Sequence, residues 1–281
     1  MKRDVQREHR TPVIVTLVLA GLVWASPALA AAMFQGLGDL PGGSTYSKAF
    51  GVSADGSTVV GESKSTSGSN ELEAFRWTAS EGMQGLGDLS GGIFRSYAYG
   101  VSADGSVVVG TGSSTASADG QAFRWTVDTG MTGLPVGSGG RFPSHGNGVS
   151  ADGAVVVGWR AHAWELDHEA FRWTASGGTV GLGGTRGGSF YESRANGVSA
   201  DGSVVVGRDD GGAAFKPFYW TEATGRVLMG PSGYFEGGEA MGVSGNGLVV
   251  VGEYAFGQDV CEVFFWRDAI LAYTMTYEPY G

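Results

Sequence analysis

Aspartate recurs at Asp55, Asp104, Asp152 and Asp201, each inside the same Ser-Ala-Asp-Gly segment. Carboxylates at a fixed spacing are raw material for cation binding and for acid–base chemistry. The fifth copy of the segment carries Asn246 instead. Asparagine keeps the turn geometry of aspartate and loses its charge, so the column reads as a turn residue. Arginine recurs at Arg76, Arg124 and Arg172, with Tyr219 and Phe265 in the equivalent places. A cation that two copies lack is read as a packing residue whose stem lies between units while its fork meets a carbonyl or carboxylate. Trp77, Trp125, Trp173, Trp220 and Trp266 hold one position in every copy. They read as core ahead of a sugar-stacking platform.

The polar cluster that does not repeat is His162, Glu165, Asp167 and His168. Histidine and carboxylates in one loop could ligate zinc, but no helix fixes their spacing, and a solvated loop is the preferred reading. There is no phosphate-binding glycine loop followed by a helix, no GxSxG elbow and no zinc-protease helix. No catalytic residue is therefore assigned, and no metal or cofactor is expected. What remains is a set of aromatics without a repeating place. Phe94, Phe142, Phe190, Tyr191, Tyr234 and Phe235 fall between units, and Trp159, Trp164 and Tyr254 fall within them.

The elements that hold these residues come from self-similarity. GVSADGSTVVG (51–61), GVSADGSVVVG (100–110), GVSADGAVVVG (148–158), GVSADGSVVVG (197–207) and GVSGNGLVVVG (242–252) start 45 to 49 residues apart. About twenty residues after each comes an aromatic segment such as AFRWT, and a Gly-Leu-rich stretch such as GLGDLSGG separates the units. Each unit reads as four strands. Strand a ends in Gly-Val-Ser, and Asp-Gly turns the chain into strand b. Strand b, with Val107, Val108 and Val109 in succession, is buried on both faces. Strand c alternates, and the Gly-Leu stretch is assigned as strand d. Four strands in about 48 residues match a propeller blade, so the expected fold is all-β, with about five four-stranded blades. Six blades or an open repeat array are the alternatives. A further GLGDLPGG from Gly36 precedes the first unit and is expected to complete the fifth; a strand within Ala269–Met275 is the rival closing element.

Composition fits this reading. Glycine accounts for 51 of 281 residues without a Gly-X-Y period, while 42% of residues are hydrophobic. Collagen and disorder are both excluded by that combination. Lys2, Arg3, Arg7 and Arg10, the apolar run Val13–Trp24 and the small-x-small site Ala28-Leu29-Ala30 form a secretory signal peptide over residues 1–30. Residues 31–281 form a single repeat domain. Taking the leader's four basic residues, with Asp4 and Glu8, from 18 basic and 28 acidic residues leaves a net charge of −12. Such a chain is repelled by phosphate backbones, so nucleic acid is excluded as a partner. One cysteine, Cys261, allows no internal disulfide.

The combination GVSADGSVVVG, EAFRWT, GM and GLGDLPGG resembles the HAF family of extracellular repeats, found in bacterial secreted proteins and some autotransporter passengers. The likeness covers everything after the leader. Glu73, Gln121 and Glu169 stand where the family has its histidine, and the fourth and fifth units lack the arginine. SADG also resembles the SPDG turn of TolB-like propellers. The resemblance implies export to the periplasm, cell surface or medium and a repeat scaffold, and it implies no reaction. The expected function is a monomeric scaffold binding a protein or glycan through Trp159, Trp164, Phe190, Tyr191, Phe142, Phe94, Tyr234 and Phe235. The alternatives are a secreted polysaccharide hydrolase or lyase, and a truncated autotransporter-passenger-like fragment. The exported chain should begin at Ala31; N-terminal sequencing that finds Met1 would remove the signal-peptide assignment.

Overall fold

The computed structural model describes residues 34–67, 71–135, 142–161, 168–184, 192–210, 214–230, 237–256, 260–267 and 270–272. The chain divides into two units, Met1–Gly36 and Leu37–Gly281. In the first unit, residues 34–36 are described; they form no strand, and the Phe34 side chain is fully exposed.

The second unit is a series of five four-stranded antiparallel sheets, each in simple up-and-down order. Blade 1 comprises β1 (Gly42–Val52), β2 (Thr58–Ser65), β3 (Leu72–Thr78) and β4 (Gly82–Gly85). Blade 2 comprises β5 (Gly91–Val101), β6 (Val107–Ser114), β7 (Gln121–Thr126) and β8 (Gly130–Gly133). Blade 3 comprises β9 (Ser144–Val149), β10 (Val155–Ala161), β11 (His168–Thr174) and β12 (Gly178–Gly181). Blade 4 comprises β13 (Ser193–Val198), β14 (Val205–Asp210), β15 (Phe215–Thr221) and β16 (Gly225–Leu228). Blade 5 comprises β17 (Gly237–Val243), β18 (Val249–Phe256), β19 (Val260–Arg267) and β20 (Ile270–Ala272). The innermost strands β1, β5, β9, β13 and β17 each pack on the next, and each sheet lies against its neighbour.

The valine run explains the stacking. In blade 2 all three valines are buried, with Val107 and Val109 against Val156 and Phe171 of blade 3, and Val108 against Val60 of blade 1. A sheet with apolar side chains on both faces has to be sandwiched. The same arrangement recurs at the seams between blades 3 and 4 and between blades 4 and 5. The glycine that follows the valines is required by close approach. A Cβ on Gly110 would strike the Tyr97 carbonyl and the Phe123 ring, and Gly61 meets the Lys48 carbonyl and Phe75 in the same way.

Polar bonds fix the register of each blade on the next. Ala54 N–H donates to the Ala103 carbonyl (3.1 Å), Ala103 to Ala151 (3.0 Å), Ala151 to Ala200 (2.9 Å) and Ala200 to Gly245 (2.9 Å). Further out, the amides of Ala74, Ala122 and Ala170 donate to the hydroxyls of Ser96, Ser144 and Ser193 in the following blade. Pro217 in blade 4 has no such amide, and the following blade has Gly238 where the serine stood. The repeated arginines join the same seams: Nε of Arg76, Arg124 and Arg172 donates to the carbonyls of Gly105, Gly153 and Gly202 at 3.2–3.3 Å. Where Tyr219 replaces arginine, its ring packs on Trp266, with centroids 5.0 Å apart.

Several sequence expectations change. Strand d is the four-residue segment before the Gly-Leu stretch, as at Gly82–Gly85; the stretch itself is the connection to the next blade. Blade 5 takes its fourth strand from Ile270–Ala272, so the N-terminal copy does not complete it, and residues 34–40 form no strand. The a–b turn is longer than a two-residue Asp-Gly hairpin. In blade 1 Ala54–Ser57 form the loop, Ser53 accepts from Gly56 N–H (3.0 Å), and Gly56 has φ +73°. The aspartate ties this loop down: Asp104 Oδ1 accepts from Ser102 Oγ (2.6 Å) and Ser106 N (3.0 Å), and Asn246 Oδ1 does the same for Ser244 and Leu248. The five tryptophans are half-buried at the seam rims, while the phenylalanine two residues earlier (Phe75, Phe123, Phe171, Phe218) fills the centre. Tyr254 is a core residue of the last seam rather than a loop aromatic.

Phe123→Ala should therefore cost about 3–5 kcal/mol, more than Trp125→Ala, because it opens a cavity in a closed seam. Asp104→Asn should leave the denaturant midpoint nearly unchanged at neutral pH, since Asn246 shows that the amide serves the turn. Hydrogen bonds from serine hydroxyls and amides hold Asp55, Asp104 and Asp201 at about 2, below the ordinary 3.8. A depressed carboxylate stabilises the fold above the unfolded value and ceases to do so as pH falls through the folded one. The melting temperature should drop between about pH 4 and pH 2, and replacing the three aspartates by asparagine should flatten that part of the profile.

Candidate binding site at the mouth of the central channel

The five inner strands converge on an axis. Near the a–b turns the Gly-Val pairs of blades 1 to 4, from Gly51-Val52 to Gly197-Val198, line an open depression of about 220 Å³. Toward the b–c loops and d–a connections the inner strands carry larger side chains. Two features of the inner strand place them there. Every blade carries a bulge just before its Gly-Val pair, which leaves Phe50, Tyr99, Asn147, Asn196 or Met241 without a cross-strand partner. A bulge re-aims the extra residue, here toward the next inner strand. Phe50 and Tyr99 meet with centroids 5.4 Å apart, and Asn147 and Asn196 donate to the Ala195 and Ala240 carbonyls at 2.9 Å. Two residues earlier, the inner strand pairs with the first residue after the glycine of the second strand. These pairs are Lys48–Glu62, Tyr97–Thr111, His145–Trp159, Arg194–Arg208 and Glu239–Glu253.

These columns vary from blade to blade, repeating a residue type only at Asn147 and Asn196 and at Glu62 and Glu253, while the serine, alanine and glycine columns beside them change at single positions such as Gly238 and Gly146. Their chemistry changes around the axis. In blades 1 and 2 it is aromatic: Tyr97 and Tyr99 lie parallel at 6.2 Å, Lys48 sits 4.8 Å above Phe50, and Tyr46 donates to Glu62 (2.8 Å). Burial pushes the Tyr99 hydroxyl up to about 12. In blades 3 to 5 it is ionic. Glu192 bridges Arg194 and Arg208 at 2.9 Å each, Glu239 receives Arg208 (3.3 Å) and Asn196 (2.7 Å), and Arg160 pairs with Glu169 (2.7 Å). Arg194 and Arg208 face each other across the sheet, and like charges so placed persist because the two glutamates lie between them.

Trp159 stands at the junction of the two halves. Its ring stacks on His145 (4.2 Å), meets His168 at an angle (4.3 Å) and lies under the Arg194 guanidinium (4.9 Å). It is thus a strut of the mouth rather than a free stacking platform. Beside it, between blades 2 and 3, a cleft of about 270 Å³ is lined by Arg95, Tyr97, Tyr99, Thr111, Asp119 and His145. Thr111 Oγ1 is buried there without a hydrogen-bond partner in the structure. A cleft with aromatic walls, one cation, one carboxylate and hydroxyls suits a polar, non-planar ligand segment.

The aromatics named from sequence distribute unevenly. Phe142 is exposed beside β9 and Phe94 is half-buried on β5. Trp164, Phe190, Tyr191, Tyr234 and Phe235 lie outside the described residues, as do His162, Glu165 and Asp167. His168 lies 3.2 Å from Arg194 and 3.9 Å from Glu192, and among the described residues no cluster of three metal-ligating side chains occurs. The sequence reading missed the axial columns because it followed what repeats; a column-by-column comparison of the five units exposes them as the variable ones.

Burial, followed by electrostatic repulsion from Arg194 and from His168, lowers the His145 imidazole to about 4 from 6.5. The fold favours the neutral ring, so stability falls as pH drops from about 6.5 toward 4. Ring-proton titration of His145 should give a midpoint near 4, and His145→Phe should remove that part of the acid sensitivity.

No family model and no curated protein matches the chain. Solved structures do. TolB from Acinetobacter baumannii matches at 16% identity and a TM-score of 0.49, over 80% of this chain and 52% of its own. A putative TolB from Agrobacterium tumefaciens matches at 14% and 0.53, over 79% and 77%, and a prolyl endopeptidase at 14% and 0.54, over 83% and 35%. This chain thus spans about half of the first of these proteins and a third of the last. Identities this low speak for architecture alone, and with the five stacked sheets they establish an all-β, propeller-type fold.

Proposed function

We propose that the protein is an exported binding scaffold of the HAF repeat type, which seats a protein or glycan segment at the mouth of its channel. The observation that carries this reading is the division of labour within the repeat. Serine, alanine, glycine and valine columns hold the blades together and barely change, whereas the columns around the mouth carry at least four residue types among the five blades. Function on a repeat scaffold is expected where the repeat is free to vary. In the ionic half of the mouth Glu192, Glu239 and Glu169 each pair with arginine. Carboxylates held this way orient a ligand better than they exchange protons with it, which favours binding over hydrolysis.

Export is supported by the basic leader and its small-residue site. No helix among the described residues is long and apolar enough to cross a membrane. The periplasm and the outer surface of the cell are both consistent with the scaffold.

The cleft between blades 2 and 3 is the expected seat. A glycan and peptide array probed with the parent should yield a ligand whose affinity falls at least tenfold with Tyr97→Ala and with Arg95→Ala. Tyr97 and Arg95 are both only partly buried, so both variants should keep the parental circular dichroism. A ligand retained at full affinity by both places the seat elsewhere on the protein.

A further inference from the structure

Each seam between blades has a donating side and a receiving side, and among the described residues the two ends of the series carry one of each without a partner. On the donating side, a turn amide and a third-strand amide reach out over a valine and an alanine. On the receiving side, a turn carbonyl and a serine hydroxyl accept them over an alanine. The turn bond closes four seams, and the serine bond the first three of them. Val60, Val109, Val157 and Val206 on the donating faces are all 0% exposed, and so are Ala98, Ala195 and Ala240 on the receiving ones.

Blade 5 repeats the donating face in the open. Val251 is 43% exposed and Val263, in the place of Ala74, is 70% exposed. The series of turn bonds stops at Gly245, whose amide makes no such bond among the described residues. No serine stands over the amide of Val263. Blade 1 repeats the receiving face in the open. Its inner strand is exposed nearly throughout, Ala49 included, and the Ala54 carbonyl receives no turn amide among the described residues. Ser47 donates to the Gly38 carbonyl at 2.7 Å, as Ser96 and Ser193 donate to Gly87 and Gly183, which leaves its oxygen able to accept a neighbour's amide.

The match is chemical as well as apolar. Where a seam lost its amide at Pro217, the receiving serine was lost too, at Gly238; the two open ends have kept both, the Val263 amide and the Ser47 hydroxyl. Within one chain and among the described residues, no strand of blade 1 makes more than a marginal contact with a strand of blade 5.

We propose that blade 5 of one copy seats blade 1 of a second copy, extending the blade series across the interface. The Gly245 amide would donate to the partner copy's Ala54 carbonyl, and the Val263 amide to its Ser47 hydroxyl. Val251 and Val263 would cover the alanine of the receiving strand. Such a contact is head-to-tail, so each dimer still bears one free end of each kind and association continues unless a ring closes.

The test is sedimentation velocity of the exported chain over a concentration series, with two blocking variants at opposite ends. Val263→Asp places a charge on the donating face, and Ala49→Arg fills the receiving one; both positions are exposed, and unchanged thermal melts verify the fold. The parent should show species above the monomer that grow with concentration, and each variant alone should remain a monomer. Mixed in equal amounts, the two variants should form a one-to-one dimer that grows no further, because one intact end of each kind remains. A parent that stays monomeric at every concentration overturns the proposal, whether its ends meet within one chain or await a different protein. Association of the parent without pairing in the mixture overturns it as well, by placing the contact elsewhere. Neither outcome bears on ligand capture at the channel mouth, which the array reads separately.

Discussion

A four-stranded sheet whose second strand carries valine on both faces cannot bury itself. One face would always be left in water, at roughly 25 cal/mol for every Å² of apolar surface. Stacking is the available remedy, and the rest of the molecule follows from it. Once sheets stack, alanine rather than anything larger is needed on the inner strand, as at Ala98 and Ala195, so that valine and phenylalanine of adjacent blades can meet. The glycine after the valines lets the inner and second strands close over the phenylalanine ring. The amide and serine bonds add little net energy each, about 0.5–1.5 kcal/mol, but they are costly to leave unmade, so they select one register out of many apolar ones.

The same constraint explains why the axis is free to carry chemistry. The seams use one face of each inner strand and the glycine that ends it. The bulge takes the intervening residue out of the ladder, and the residue two positions before it points away from the preceding seam. Side chains there can be lysine, tyrosine, histidine, arginine or glutamate without disturbing a seam. The result is a rigid frame with an adaptable lining, in which Trp159 and its histidine and arginine neighbours act as a wedge between an aromatic half and an ionic half.

Much of this was legible in the sequence because the repeat reports it five times over. The spacing of Ser-Ala-Asp-Gly, the valine run and the aromatic strand identified the blades, and Asn246 identified the turn aspartates as structural. The fourth strand was misplaced because Gly82–Gly85 is four residues long, half glycine, and has no alternation to read; the neighbouring Gly-Leu stretch offered a stronger apolar signal. Tryptophan was given the role that phenylalanine holds, since size alone suggests the core, whereas a seam narrows inward and leaves its rim for the larger ring. The channel mouth was hidden for a different reason. Its residues have no shared type, and the bulge that presents them shows only in the pairing register of the inner strands.

Pro217 and Gly238 give the series a direction that the near-identity of its units conceals. Units of this kind multiply and disappear by unequal exchange between their own copies, and identical units would tolerate any order. Here they do not. A unit with proline at that position leaves the next unit's serine without its amide, and a unit with glycine leaves the previous unit's amide without its serine, so units four and five travel as a pair. Deletion or duplication that cuts between them strands a buried polar group, while a cut between any of the first three does not. Units added before the first or after the fifth meet a matched amide and serine, so the pair of units four and five is the one block that rearrangement has to keep whole.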